Sequence, residues 1–283
     1  MLRQRFPRAV LSAPRLAAPQ RRSIHHLPPL DHFRDGIPGL FTPEGFRIAW
    51  TEYQGLMLEK LNALTAGSAD DYSSSTKTLL LKYARQPSMA SVFNHASMAH
   101  NNHFFFQGLA TEETTMPGPL RKALESDFGS LETLRREFVA TGTSMFGPGF
   151  VWLVKARDGR YSLLNTYLAG SPYPGAHWRR QARDMNTEID ARSPADYARQ
   201  EALNKLPVVN SVGAHGPLSE SGKLAPGGVS INPVLCVSTW QHVYMPDWGL
   251  LQKKQFLEAW WDRINWDVVA NIAKETGPTK FMR

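Results

Sequence analysis

The chain has 283 residues, 42% hydrophobic and 11% aromatic, enough to bury one large core or two small ones. No run approaches the roughly 18 consecutive apolar residues of a membrane-spanning helix. The one cysteine, Cys236, excludes an intramolecular disulfide and a cysteine-cluster zinc site and fits a reducing compartment. The net charge of +7 is uneven: residues 1–30 hold six arginines and no acid, whereas residues 31–283 carry 26 basic and 25 acidic residues.

The first stretch, MLRQRFPRAVLSAPRLAAPQRRS, is Arg-rich, contains Ser and Ala and lacks acids. That is the composition of a mitochondrial presequence, assigned to residues 1–26; the other reading is a basic arm that binds RNA. Residues 27–45 are rich in Pro and Gly and read as an extended lead-in. Thr42-Pro43-Glu44 looks like a helix start: a capping side chain, Pro in the first turn, and an acid at the positive end of the dipole. Phe46, Trp50, Tyr53, Met57, Leu61 and Leu64 then recur at helical spacing and predict one apolar face. After the polar break AGSADDYSSS a second long helix is predicted over 76–108, with Pro87 as an interruption or kink. Shorter helices follow at about 118–127 and 130–141.

The pattern then changes. FVWLVKA (150–156) and YSLLNTYLA (161–169) flank Arg157-Asp158-Gly159-Arg160, a hairpin signal. A polar stretch at 178–228 reads as an insertion or a loop. VSINPVLCV (229–237) predicts a third strand, and helices are expected at 250–262 and 264–275. Helices followed by a few antiparallel strands with further helices make an α+β layout. It divides into a helical hairpin (27–112) and a C-terminal α/β part (113–283) with a small three-stranded sheet.

Four blocks, in order, resemble the iron/manganese superoxide dismutases: LPPL (27–30), FNHASMAHNNHFFF (93–106), FGSLETLRREFVATGTSMFGPGFVWL (128–153) and VSTWQHVY (237–244), followed by INW (264–266). The last of the four blocks is similar to the family's D-x-W-E-H-x-Y. In that family three imidazoles and one carboxylate hold the metal, the carboxylate offsetting its charge and tuning its potential. The resemblance carries the four ligand positions to Ala49, Asn102, Ser238 and His242, so that only His242 keeps the ligand type. A shift of one residue would give His103 in place of Asn102, but an insertion inside a helix turns all later residues by about 100°. Tyr53 and Met57 fall on the family's gateway positions and Gln241 on its second-shell acid. The resemblance implies a subunit interface at Tyr53, Met57, Gln241, His242 and Tyr244. His95, His100 and His103 are the remaining candidates for a metal, with no carboxylate near them in sequence.

A superoxide dismutase-like chain with this ligand set and a presequence resembles the catalytically inactive superoxide dismutase-like subunits of the fungal mitochondrial small ribosomal subunit. That resemblance implies a structural role in mitochondrial translation, no cofactor and no enzyme activity. It also implies a paralogous superoxide dismutase-like partner in a heterodimer, other small-subunit proteins as neighbours, and no membrane. The near-neutral balance of residues 31–283 implies limited contact with ribosomal RNA, whose phosphates favour a Lys/Arg excess. The other expectations are an active mitochondrial iron/manganese superoxide dismutase, or a free matrix binding module.

Overall fold

The computed structural model describes residues 25–84, 86–173 and 231–275. The arginine-rich stretch before residue 25 and all of 178–228 lie outside the described residues. The hairpin side contains α1 (Pro43–Phe46), a π-helical turn (Arg47–Glu52), α2 (Tyr53–Thr65), α3 (Ala69–Ser73), α4 (Thr76–Tyr83) and α5 (Ala90–Gln107). The C-terminal part contains α6 (Gly118–Phe128), α7 (Leu131–Ser144), β1 (Gly149–Ala156), β2 (Tyr161–Tyr167), β3 (Ile231–Ser238), α8 (Gln241–Trp248), α9 (Lys253–Trp261) and α10 (Trp266–Glu275).

The helix starts follow local chemistry. Thr42 Oγ1 accepts from Gly45 N, Ser75 Oγ from Thr78 N and Ser130 Oγ from Thr133 N, each satisfying a donor that the first turn leaves unpaired. Thr42 is held in turn by Asp247 of α8, which accepts from Thr42 N at 2.9 Å and from Thr42 Oγ1 at 2.6 Å. This ties the start of the hairpin to the C-terminal part.

Two expectations about the hairpin are corrected. The helix predicted over 76–108 is two helices, α4 and α5, packed on each other. Pro87 has no amide hydrogen and disfavours helical backbone in the residue before it; Gln86 sits at φ −112°, ψ 97° and ends the first segment. The second correction concerns the inward face of the first long helix. Beyond Trp50 the buried residues are Gln54, Leu58, Leu61 and Thr65, whereas Tyr53 and Met57 are half-buried and Leu64 is exposed. The π-helical turn accounts for this. Its wider turn takes up one extra residue, which rotates the following stripe by one position, about 100°.

The sheet order is β2-β1-β3, antiparallel throughout, with Gly149 opposite Tyr167 and Lys155 opposite Tyr161. The hairpin turn forms where Asp158-Gly159 predicts it, with Gly159 at φ +94°, a conformation that costs glycine nothing. Strand β2 ends at Tyr167, short of residue 169, as Leu168 turns to φ 53°. Along β1 and β3 the register shifts between Leu153 and Val154, so Leu153 faces Leu235 while Val154 faces Pro233. Pro233 lies at a sheet edge beside this bulge, where its missing donor costs least. Central β1 is buried on both faces from Gly149 to Val154, under α5 and the C-terminal helices. A second, smaller core of Leu61, Leu79, Leu80, Val92 and Phe93 lies between α2, α4 and α5. Among the described residues no helix is long and apolar enough to cross a membrane.

Candidate functional site

The four positions that the resemblance assigns to metal ligands come from four segments: Ala49 from the π-helical turn, Asn102 from α5, Ser238 from the end of β3 and His242 from the start of α8. Asn102 is fully buried beside Ala49. Its Nδ2 donates to Ala49 O at 3.3 Å and to Gln54 Oε1 at 3.1 Å, while Gln54 Nε2 donates to Ala99 O at 2.9 Å. His103, one position further along α5, has its ring 5.7 Å from that of Trp50. Ser238 is buried, and its hydroxyl accepts from Trp240 N at 3.4 Å. The His242 ring stacks on Tyr53 with centroids 3.7 Å apart and planes 20° from parallel, and lies 5.6 Å from the Trp240 ring. His242 Nε2 is buried with no hydrogen-bond partner among the described residues. Burial pushes the His242 pKa down to about 4 and the Tyr53 hydroxyl up to about 12, so both are neutral at pH 7.

This set does not fit iron or manganese. It offers one imidazole, one carboxamide, one hydroxyl and one methyl group. Ala49 has no donor atom. The Asn102 amide nitrogen is committed to two oxygens, and the Ser238 hydroxyl brings no negative charge to offset a cation. Among the described residues no three His, Cys, Asp or Glu side chains converge as a metal site. The three histidines of α5 each have a separate partner: His95 Nδ1 bonds Ser91 O at 2.8 Å, His100 Nε2 bonds Tyr173 Oη at 2.9 Å, and the His103 ring faces Trp50.

His100 is pushed down to about 3, first by burial and then by Lys77 and His103. With His242 it should make the fold acid-sensitive. Both groups stay neutral in the folded chain but take up a proton near pH 6.5 when unfolded, so the unfolded state gains as pH falls. Stability should be full above about pH 6.5 and decline as pH falls toward about 4 for His242 and about 3 for His100. Urea midpoints at pH 7 and 4.5 should differ, and His100→Gln, which can still bond Tyr173, should shrink that difference. An unchanged difference would remove His100 from this account.

The proposed interface residues divide. Gln241 is exposed, and Tyr53, Met57 and His242 are half-buried. Tyr244 is buried at 5% exposure with its ring 5.8 Å from Phe256, so it faces the core; Met245, the next residue, is the exposed one. Gln54 was not legible as a site residue, because nothing in the sequence marks the π-helical turn that swings it inward.

The chain matches the family "Iron/manganese superoxide dismutases, C-terminal domain" over residues 116–178 and 197–272, leaving out 179–196 inside the stretch 178–228. With the helical hairpin, the three-stranded sheet and the VSTWQHVY block in place, the chain belongs to the iron/manganese superoxide dismutase-like family. Within it, the chain is 30% identical over 257 residues to small ribosomal subunit protein mS43 of Schizosaccharomyces pombe, covering 87% of this chain and 83% of that one. It is 29% identical over 205 residues to mS42 of the same organism, covering 70% and 73%. The manganese superoxide dismutase of Yersinia enterocolitica is 23% identical over 248 residues, covering 87% and 96%.

Proposed function

We propose that this chain is a non-catalytic structural component of the mitochondrial small ribosomal subunit, acting in mitochondrial translation. The observation that carries the reading is the similarity to mS43 along 87% of the chain. The donor set of Ala49, Asn102, Ser238 and His242 supports the non-enzymatic part, since it lacks the charged ligand and two of the three imidazoles. The arginine-rich, acid-free start supports import into the mitochondrial matrix.

The partner is a paralogous superoxide dismutase-like chain, with other small-subunit proteins as neighbours and only limited ribosomal RNA contact. The likeness to both mS43 and mS42 supports such a pair.

Fractionation of mitochondrial lysate on a sucrose gradient in magnesium, with iron and manganese measured in each fraction, tests the reading. The chain should sediment with the small subunit and no metal should follow it. A light peak carrying stoichiometric metal and superoxide dismutation would overturn the proposal in favour of an enzyme. A light, metal-free peak would instead make it a free binding module.

A further inference from the structure

Gln54 and Asn102 are polar side chains, each 1% exposed, facing one another between α2 and α5. Burying a carboxamide is costly unless its groups are paired. Here they are paired with each other and with two backbone carbonyls: Asn102 reaches Gln54 Oε1 and Ala49 O, and Gln54 reaches Ala99 O. The result is a short neutral chain of hydrogen bonds that joins the π-helical turn to α5.

Its position is informative. Ala49 and Asn102 are two of the four positions that would carry metal ligands, and they do not fit a metal. A metal bound by several segments is also a cross-link between them. Where the donors are gone, something else must hold those segments in register. The π-helical turn supplies the geometry, because without its extra residue the inward position would be Tyr53. With it, Gln54 turns to α5, while Tyr53, about 100° round the helix, stacks on His242 of α8. Two consecutive residues thereby join the first long helix to both of its neighbours.

We infer that the Gln54–Asn102 carboxamide pair is a metal-independent lock, standing in for the cross-link that a bound metal would make between the first helix and α5. The inference rests on the metal-free reading above and adds a role for Gln54. A double-mutant cycle on the full mature chain tests it, with Gln54→Leu and Asn102→Leu measured singly and together by urea unfolding. Gln54→Leu leaves one Asn102 amide hydrogen unpaired and Asn102→Leu leaves Gln54 Oε1 unpaired, while the bonds to Ala49 O and Ala99 O remain, and each should lower the midpoint. The double variant should be on the order of tenfold more stable, in its unfolding equilibrium constant, than the sum of the singles implies. Additive losses would overturn the lock. If a single variant does not fold, hydrogen exchange of the wild-type Gln54 and Asn102 carboxamides decides. Protected protons support the lock, and exchange at the rate of a free amide overturns it. The same preparation is unfolded with and without chelator. A midpoint that falls on chelation would overturn the metal-free reading, an outcome separate from the additivity of the cycle.

Discussion

Ser238→Asp, which places a carboxylate where the resemblance to the family motif expects one, should destabilise the chain at pH 7 by about 3–5 kcal/mol, the cost of a buried charge left without its partners. Ser238 is 0% exposed at the end of β3, and its hydroxyl has one backbone donor, Trp240 N. A carboxylate there would need a cation, and neither Ala49 nor Asn102 helps to bind one. His242 is held neutral by burial in the unsubstituted chain. Ser238→Asn, similar in shape but uncharged, should lose markedly less. Urea unfolding of both variants, with and without manganese, checks the argument. A manganese-dependent recovery of Ser238→Asp would show that the remaining residues do form a metal centre.

Trp152→Ala should cost about 3–5 kcal/mol, a large part of the roughly 5–15 kcal/mol that holds a typical domain folded. Trp152 lies at the middle of β1 with no exposed surface. Its ring centroid is 5.6 Å from both Phe104 of α5 and Phe150 of β1, so it joins the hairpin to the sheet. Its Nε1 donates to Thr166 Oγ1 of β2 at 2.9 Å. Truncation leaves a cavity and a buried hydroxyl without its donor. Trp152→Phe keeps most of the ring contact and should lose less, the remainder measuring the hydrogen bond and the smaller ring. Circular dichroism against urea reads both. A loss below about 1 kcal/mol in Trp152→Ala would mean that the joint between hairpin and sheet lies elsewhere.

Much of the chain was legible because its signals are local. Thr42 caps its helix because hydroxyl, Pro43 and Glu44 lie within one turn. Asp158-Gly159 closes a hairpin because glycine reaches the turn conformation without strain. Strand β1 is apolar residue after residue because both of its faces are covered. The VSTWQHVY block and its companions pointed to the family, and the substitutions at Ala49 and Ser238 were visible in the same letters. Pro87 was legible as a break, although that α4 would pack back on α5 was not.

The candidate site divides along the same line. Residue identity at each ligand position, the near-neutral balance of residues 31–283 and the caps that start the helices follow from the order of the amino acids. They depend on chemistry within a few residues of chain. Which of Tyr53 and Gln54 turns inward, whether Tyr244 or Met245 meets solvent, and what the Asn102 amide bonds to were decided only by the tertiary structure. One additional residue in a π-helical turn, invisible in composition or periodicity, rotates a whole face by about 100°, and its energy is recovered in contacts made 45 to 53 residues further along the chain.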